Sequence, residues 1–286
     1  MTPPLLLLAS LLVPIPQAPP SSPPPSPMTV EKVADDFYVV LGGDAGNTSV
    51  YVTDEGLILV DPKFERNSAD LLAKIGALSN RPIKYVVNTH AHEDHTGGNA
   101  KLAPAVIVGH ANQRDIMLKR NLRGVPQLTF GTEIRIELGG KEAIARYFGR
   151  CHTSGDSFVF FPARRVLATG DCITRGTPRG VVNPPTSSRI LIDYDNGGSF
   201  NQAIKTVEQM LTWDFDTVVP GHGPLGTKAD IVRWHEGLKR LQTRVSAVLR
   251  EGKGQDAVID VLVKEFEWDP ASVAARATGL INELKP

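Results

Sequence analysis

Cysteine is scarce. Two occur in 286 residues, Cys151 and Cys172, too few to build a disulfide scaffold. A charge excess of either sign is also missing. The chain has 31 Lys and Arg against 31 Asp and Glu, so its total charge points to no nucleic-acid surface. A long apolar run is missing as well. Residues 5–13 are almost entirely apolar, but that stretch is too short to span a bilayer, so no stable membrane insertion is expected.

What is present divides the chain in two. Residues 1–29 combine that apolar run, which matches the core of a secretory signal in length, with a Pro- and Ser-rich spacer at 14–27. No Lys or Arg precedes the run, and no clear small-x-small cleavage site follows it. Export to the periplasm or the medium is the expectation; a translation start at Met28 is the alternative. Residues 30–286 read as a single catalytic domain ending in helices. Apolar content of 41% and charged content of 22% suit a soluble globular fold.

The domain is organised around Thr89-His90-Ala91-His92-Glu93-Asp94-His95-Thr96-Gly97-Gly98. Three histidines and an aspartate lie within six residues, just after the apolar run 83–87, which reads as a buried strand. Groups so close together call for a cation between them. Spacing of i, i+2, i+4 and i+5 suits a curled loop better than a regular helix. Three short strands precede it, at 37–41, 48–53 and 57–61, followed by a helix at 68–78. A strand at 105–108 and an amphipathic helix at 111–121 come after it. His110, between them, reads as a structural histidine. Residues 121–130 read as a loop bordering a cleft. Strands at 133–138, 142–148, 158–161, 165–168 and 217–219 follow. Ser199 is a plausible N-cap for a helix at 199–211, and a long helix covers 228–250. Further candidate ligands recur just past strand ends.

His90-x-His92-x-Asp94-His95 resembles the signature of the metallo-β-lactamase superfamily. The resemblance continues through Gly149 to Ser157, Ala168-Thr169-Gly170-Asp171 and Val219-Pro220-Gly221-His222-Gly223. It implies an α/β fold, an αββα sandwich of two mixed β-sheets flanked by helices. It also implies two Zn2+ ions per chain. His90, His92 and His152 would hold one, and Asp94, His95 and His222 the other, with Asp171 bridging. The implied activity is hydrolysis of a small-molecule carbonyl substrate (a β-lactam, lactone, ester or thioester) by a metal-activated water, with Asp94 orienting the water and passing on its proton. Asp61 is either a support beside the metal centre, as the resemblance implies, or a turn-forming aspartate.

An aspartate at 171, where cysteine-ligand β-lactamases carry a thiolate, resembles the broader hydrolase branches of the family. Cys151 and Cys172, each beside a presumed ligand, read as separate buried packing residues, with a disulfide as the alternative. Arg175, Arg179, Asn183 and Arg189 fall where family members often border substrate. Two other activities share the fold. Iron-dependent oxidoreductases include flavodiiron proteins, which carry Glu at the position of His92, and persulfide dioxygenases, which use one iron. Nucleases share the histidine core, but the basic arm expected of one is not evident here.

Overall fold

The computed structural model describes residues 25–176 and 189–285. The first sheet runs in chain order: β1 (Thr29–Ala34), β2 (Phe37–Leu41), β3 (Thr48–Val52), β4 (Leu57–Val60), β5 (Ile83–Val87), β6 (Val106–His110) and β7 (Leu128–Phe130). Its first four strands form an antiparallel meander, and β4 to β7 are parallel. The second sheet contains β8 (Glu133–Leu138), β9 (Lys141–Arg146), β10 (Phe158–Phe161), β11 (Val166–Gly170), β12 (Thr217–Pro220) and β13 (Gly226–Thr227). Its order is β13-β12-β11-β10-β9-β8, antiparallel except where β11 meets β12.

Side-chain alternation divides the core. In β3 and β4, Val50, Leu57 and Leu59 pack against Leu71 and Ile75 of helix α1 (Ser68–Leu78). Tyr51, Ile58 and Val60 face the other way and meet Phe37, Phe161 and Val166 between the sheets. A four-residue helix α2 (Glu93–Thr96) lies within the histidine motif, and α3 (Ala111–Lys119) follows β6. The outer face of the second sheet is covered by α4 (Phe200–Met210), α5 (Lys228–Arg250), α6 (Gln255–Phe266) and α7 (Pro270–Leu284). The result is the expected sandwich of two mixed sheets between helical layers. Among the described residues no helix is long and apolar enough to cross a membrane.

Ser199 caps α4 as expected, accepting from the Gln202 amide at 3.1 Å. Glu283 of α7 adds a second cap, its carboxylate accepting from the Phe200 and Asn201 amides. An anion here also complements the helix dipole. Some elements differ from expectation. Strand β1 is mostly exposed, so it lacks the half-buried alternation that marks a strand. Strands β7 and β13 span three and two residues, too short for a period to show. Residues 121–130 are not a cleft-bordering loop throughout. Leu128–Phe130 pairs with β6, and Asn121, Leu122 and Arg123 line a cavity with Phe64 and Glu65 instead.

The cysteines require a correction. Cys151 and Cys172 are buried, but they are not separate packing residues. They form a disulfide, with Cα atoms 5.5 Å apart. Each precedes or follows a site residue by one position, so bringing His152 and Asp171 together brings the two sulfurs together.

Candidate metal centre

All seven candidate ligands converge at one edge of the sandwich, each beyond the C-terminal end of a strand. His90, His92, Asp94 and His95 follow β5. His152 lies in the connection from β9 to β10, and Asp171 directly follows β11. The parallel pairing of β11 with β12, with Gly170 opposite Pro220, places Asp171 beside the turn that carries His222. That approach is close enough to require glycine between them. A Cβ on Gly221 would collide with Asp171 Oδ1. Gly46 is needed similarly, since a Cβ there would enter the His95 ring.

The hydrogen bonds fix which nitrogen each imidazole offers. Asp61 accepts from the Thr89 amide at 2.8 Å and from the Thr89 hydroxyl at 2.6 Å. With its proton committed there, the Thr89 oxygen accepts from His90 Nδ1 at 3.0 Å. His90 Nε2 is then a buried lone pair with no protein partner. His95 Nδ1 donates to Asp61 at 2.8 Å. His152 Nδ1 donates to the Leu191 carbonyl at 2.8 Å. His92 Nε2 donates to Asp193 at 2.7 Å. The remaining nitrogens all point inward. Asp61 is therefore the support beside the centre, not merely a turn residue. It is 2% exposed and adopts a positive φ of 56° to reach the loop.

Two groups of inward atoms result. His90, His92, His152 and Asp171 can place one ligand atom each within 4.8 Å of all the others, and so can Asp94, His95 and His222. His92 Nδ1 and His152 Nε2 lie 3.0 Å apart. With their partner nitrogens protonated, these are two lone pairs face to face, which a cation between them relieves. The Asp171 carboxylate spans both groups. Oδ1 is 3.3 Å from His95 Nε2 and from His222 Nε2, and Oδ2 is 3.8 Å from His152 Nε2. Asp94 Oδ2 lies 3.1 Å from His222 Nε2.

Protonation follows the same division. Burial, reinforced by neighbouring imidazoles, holds His90 well below its usual range, and burial brings His152 down to about 4. Both are therefore neutral and able to ligate. In the second group burial opposes charge, yet the carboxylates prevail. Asp94, Asp171 and Asp61 raise His95 well above its usual range, and Asp171 raises His222 to about 9. Protons there mark where positive charge is needed. Nitrogen and carboxylate donors of this kind fit divalent zinc, and also iron or manganese.

Other residues complete the surroundings. Lys63, wholly buried, donates to the Gly42 and Gly46 carbonyls at 3.0 and 2.6 Å. Burial lowers its pKa to about 7, with Asp61 and Asp94 opposing. It secures a loop whose Gly46 amide donates to the Asp94 carbonyl at 3.0 Å. Neither Lys63 nor Asp193 was anticipated from sequence. Asp193 is 101 residues from its partner, His92, and no local pattern marks that distance. Lys63 follows β4 by three residues, and no local pattern marks its burial.

His110 is structural, as expected. Its ring donates to the Gly131 carbonyl at 2.9 Å and stacks on Tyr147. Arg175 does not border the site as a free guanidinium. It donates to the Leu225 carbonyl and pairs with Asp230 at 3.8 Å. Arg189 does line the cavity over the ligands. Arg179 and Asn183 lie outside the described residues.

Comparison with known proteins agrees with this geometry. Residues 41–222 match the profile of the Metallo-beta-lactamase superfamily. The chain is 27% identical over 202 residues to a 2,4-dinitroanisole O-demethylase subunit alpha of Nocardioides sp. (strain JS1661), covering 68% of this chain and 57% of that one. It is 26% identical over 197 residues to a metallo-beta-lactamase type 2 of Bacillus sp. (strain 170), covering 68% and 72%. A metallo-beta-lactamase structure from Pontibacter korlensis superposes with a TM-score of 0.62 at 19% identity, covering 74% of this chain and 99% of that one. The matched stretch, the sandwich fold and the clustered His and Asp side chains establish that the chain belongs to the metallo-β-lactamase superfamily.

Proposed function

We propose that this chain is a dinuclear zinc hydrolase acting on a carbonyl substrate of the β-lactam, lactone, ester or thioester type. The observation that carries this reading is Asp171, whose two carboxylate oxygens face the two ligand groups separately. His90, His92 and His152 would hold one ion and Asp94, His95 and His222 the other. When bound, two divalent ions supply Lewis acidity toward the carbonyl oxygen and lower the pKa of water from about 15.7 toward ~7.

The protein's own groups do the rest. Asp94 lines the cavity above the site, where its carboxylate can orient the attacking water and carry its proton to the leaving group. Asp61, Thr89, Asp193 and the Leu191 carbonyl lock four imidazoles in place, so the ligand set needs little rearrangement. The cavity itself, about 200 Å³, suits a small molecule. Relatives named metallo-beta-lactamase put β-lactams first among substrates to assay. We also place the protein outside the cytoplasm. The Cys151–Cys172 disulfide supports an oxidising compartment, as does the signal-like start of the chain.

The test is a substrate panel of a chromogenic cephalosporin, a lactone and a thioester, given to zinc-loaded protein, with His92→Ala as control. Turnover of at least one class, abolished in the control, is the expected result. Failure on every class by protein shown to hold two zincs would overturn the reading, as would full activity with a single iron.

A further inference from the structure

Of the imidazoles gathered at the centre, all but one are held from outside. Thr89, Asp193, Asp61 and the Leu191 carbonyl occupy the outer nitrogens of His90, His92, His95 and His152 respectively. His222 is the exception. Its ring is 3% exposed, and among the described residues its Nδ1 has no hydrogen-bond partner. With no protein group gripping the outer side of the ring, its direction rests on the backbone that carries it.

That backbone is the turn at residues 220–223, and both halves of the domain hold it. The second half acts through neighbouring backbone. The Gly221 amide donates to the Gly170 and Ile173 carbonyls, each at 2.9 Å, and the His222 carbonyl accepts from the Arg175 amide at 2.8 Å. The first half reaches the turn through Asn47, the last residue of the loop between β2 and β3. Asn47 Nδ2 donates to the Pro220 carbonyl and to the Gly223 carbonyl, each at 2.9 Å. Its backbone amide donates to the Gly221 carbonyl at 2.8 Å. Two carbonyl acceptors decide which end of the side chain is the nitrogen. Asn47 is 5% exposed and lies 173 residues from Pro220 in the chain. Both of its amide protons are therefore spent on a buried brace between the two sheets.

The loop that presents Asn47 is itself fastened. Lys63 holds the Gly42 and Gly46 carbonyls, and Asn67 Nδ2 donates to the Gly43 carbonyl at 3.0 Å. Its contacts with the centre fall on one ligand group. The Gly46 amide binds the Asp94 carbonyl, the Gly46 Cα lies against the His95 ring, and Asn47 grips the His222 turn. The rings of His90, His92 and His152 have their supports elsewhere.

We propose that Asn47 is the positioning residue for His222. By fixing the 220–223 turn against the first sheet, it sets how tightly the Asp94, His95 and His222 group holds its ion, without touching metal or substrate. The inference rests on the two-ion reading and gives one of those ions a support that spans both halves of the domain.

Three measurements on the full chain test it. The first is stepwise zinc affinity, by competition with a chromophoric chelator. Asn47→Ala should weaken one ion by about 10- to 100-fold and leave the other within about 2-fold. Asn47→Ser, whose hydroxyl keeps one donor, should fall between, and it carries the test alone if Asn47→Ala does not fold. The second is a double-variant comparison. Added to His222→Ala, the Asn47 change should cost no further zinc affinity, because the brace then has no ligand to place. Added to Asp193→Asn, it should weaken both ions. The third needs no metal: in the metal-free proteins, amides 221–223 should exchange hydrogen about 10-fold faster in the Asn47 variants than in wild type, with those of 151–157 unchanged. Equal weakening of both ions, or a further loss in the His222→Ala background, would overturn the inference and leave Asn47 a general brace of the fold, with the two-ion reading intact. Unchanged exchange at 221–223 would overturn it as well. A single ion in wild type would reject the two-ion reading, and the exchange result would still decide whether Asn47 holds the turn.

Discussion

The two halves of the domain deliver their ligands differently. The first half places His90, His92, Asp94 and His95 on one loop after β5, where Thr89 of that loop and Asp61 at the end of the adjacent strand β4 hold the rings of His90 and His95. The second half places His152, Asp171 and His222 beyond three separate strands. There the supports are long-range: a disulfide joining the residues next to His152 and Asp171, the β11–β12 register, and the 189–197 segment under α7. A local cluster is held mostly by its own loop and the strand beside it, with His92, tied to Asp193, as the exception. A dispersed one depends on the rest of the fold.

This difference yields graded predictions. The largest concerns chemistry in the first half. Asp94→Asn should lower kcat by about 10²- to 10⁴-fold while leaving the melting transition close to wild type; a near-normal rate would remove Asp94 from the mechanism. Next is the second half's cross-link. Replacing both Cys151 and Cys172 with alanine should cost about 2–4 kcal/mol in denaturant unfolding and weaken zinc binding. Unchanged zinc affinity would show that the β11–β12 register and the Leu191 contact hold Asp171 and His152 without the cross-link.

Single supports of the rings should matter less. Asp61→Asn and Asp193→Asn should each weaken zinc binding by about 10- to 100-fold, as measured by competition with a chromophoric chelator. Asp193→Asn acts on the His92 group alone, whereas Asp61 supports His95 directly and His90 through Thr89, so Asp193→Asn should release one ion first and Asp61→Asn should weaken both. The smallest effect on the metal centre concerns Lys63. Its folded pKa, about 7, lies below the model-peptide value of 10.5, so the unfolded chain binds more protons between those values. Stability should therefore rise with pH across that window. Lys63→Met should flatten the rise; an unchanged slope would assign it to other groups.

The same contrast explains what was legible in the sequence. The ligands of the first half are adjacent in the chain, and the apolar run before them marks the strand end, so they were legible directly. His152, Asp171 and His222 were legible only through the family resemblance, since nothing local joins residues so far apart. The helices α1 and α5 and the Ser199 cap followed from apolar spacing and capping chemistry. Asp193, Lys63 and Asn47 were not anticipated. Each gains its place from a tertiary contact: with His92, with the Gly42 and Gly46 carbonyls, and with the Pro220 and Gly223 carbonyls. The disulfide was open in sequence because the separation of the two cysteines depends on the docking of β11 against the loop bearing His152.

Asp171 faces both ligand groups, and in the proposed function it joins them into one two-metal centre. Native mass spectrometry of the zinc-loaded full chain beside Asp171→Asn tests it most directly. Two zinc ions are expected in the wild type and a lower occupancy in the variant. One ion in the wild type, or two in both proteins, would contradict it.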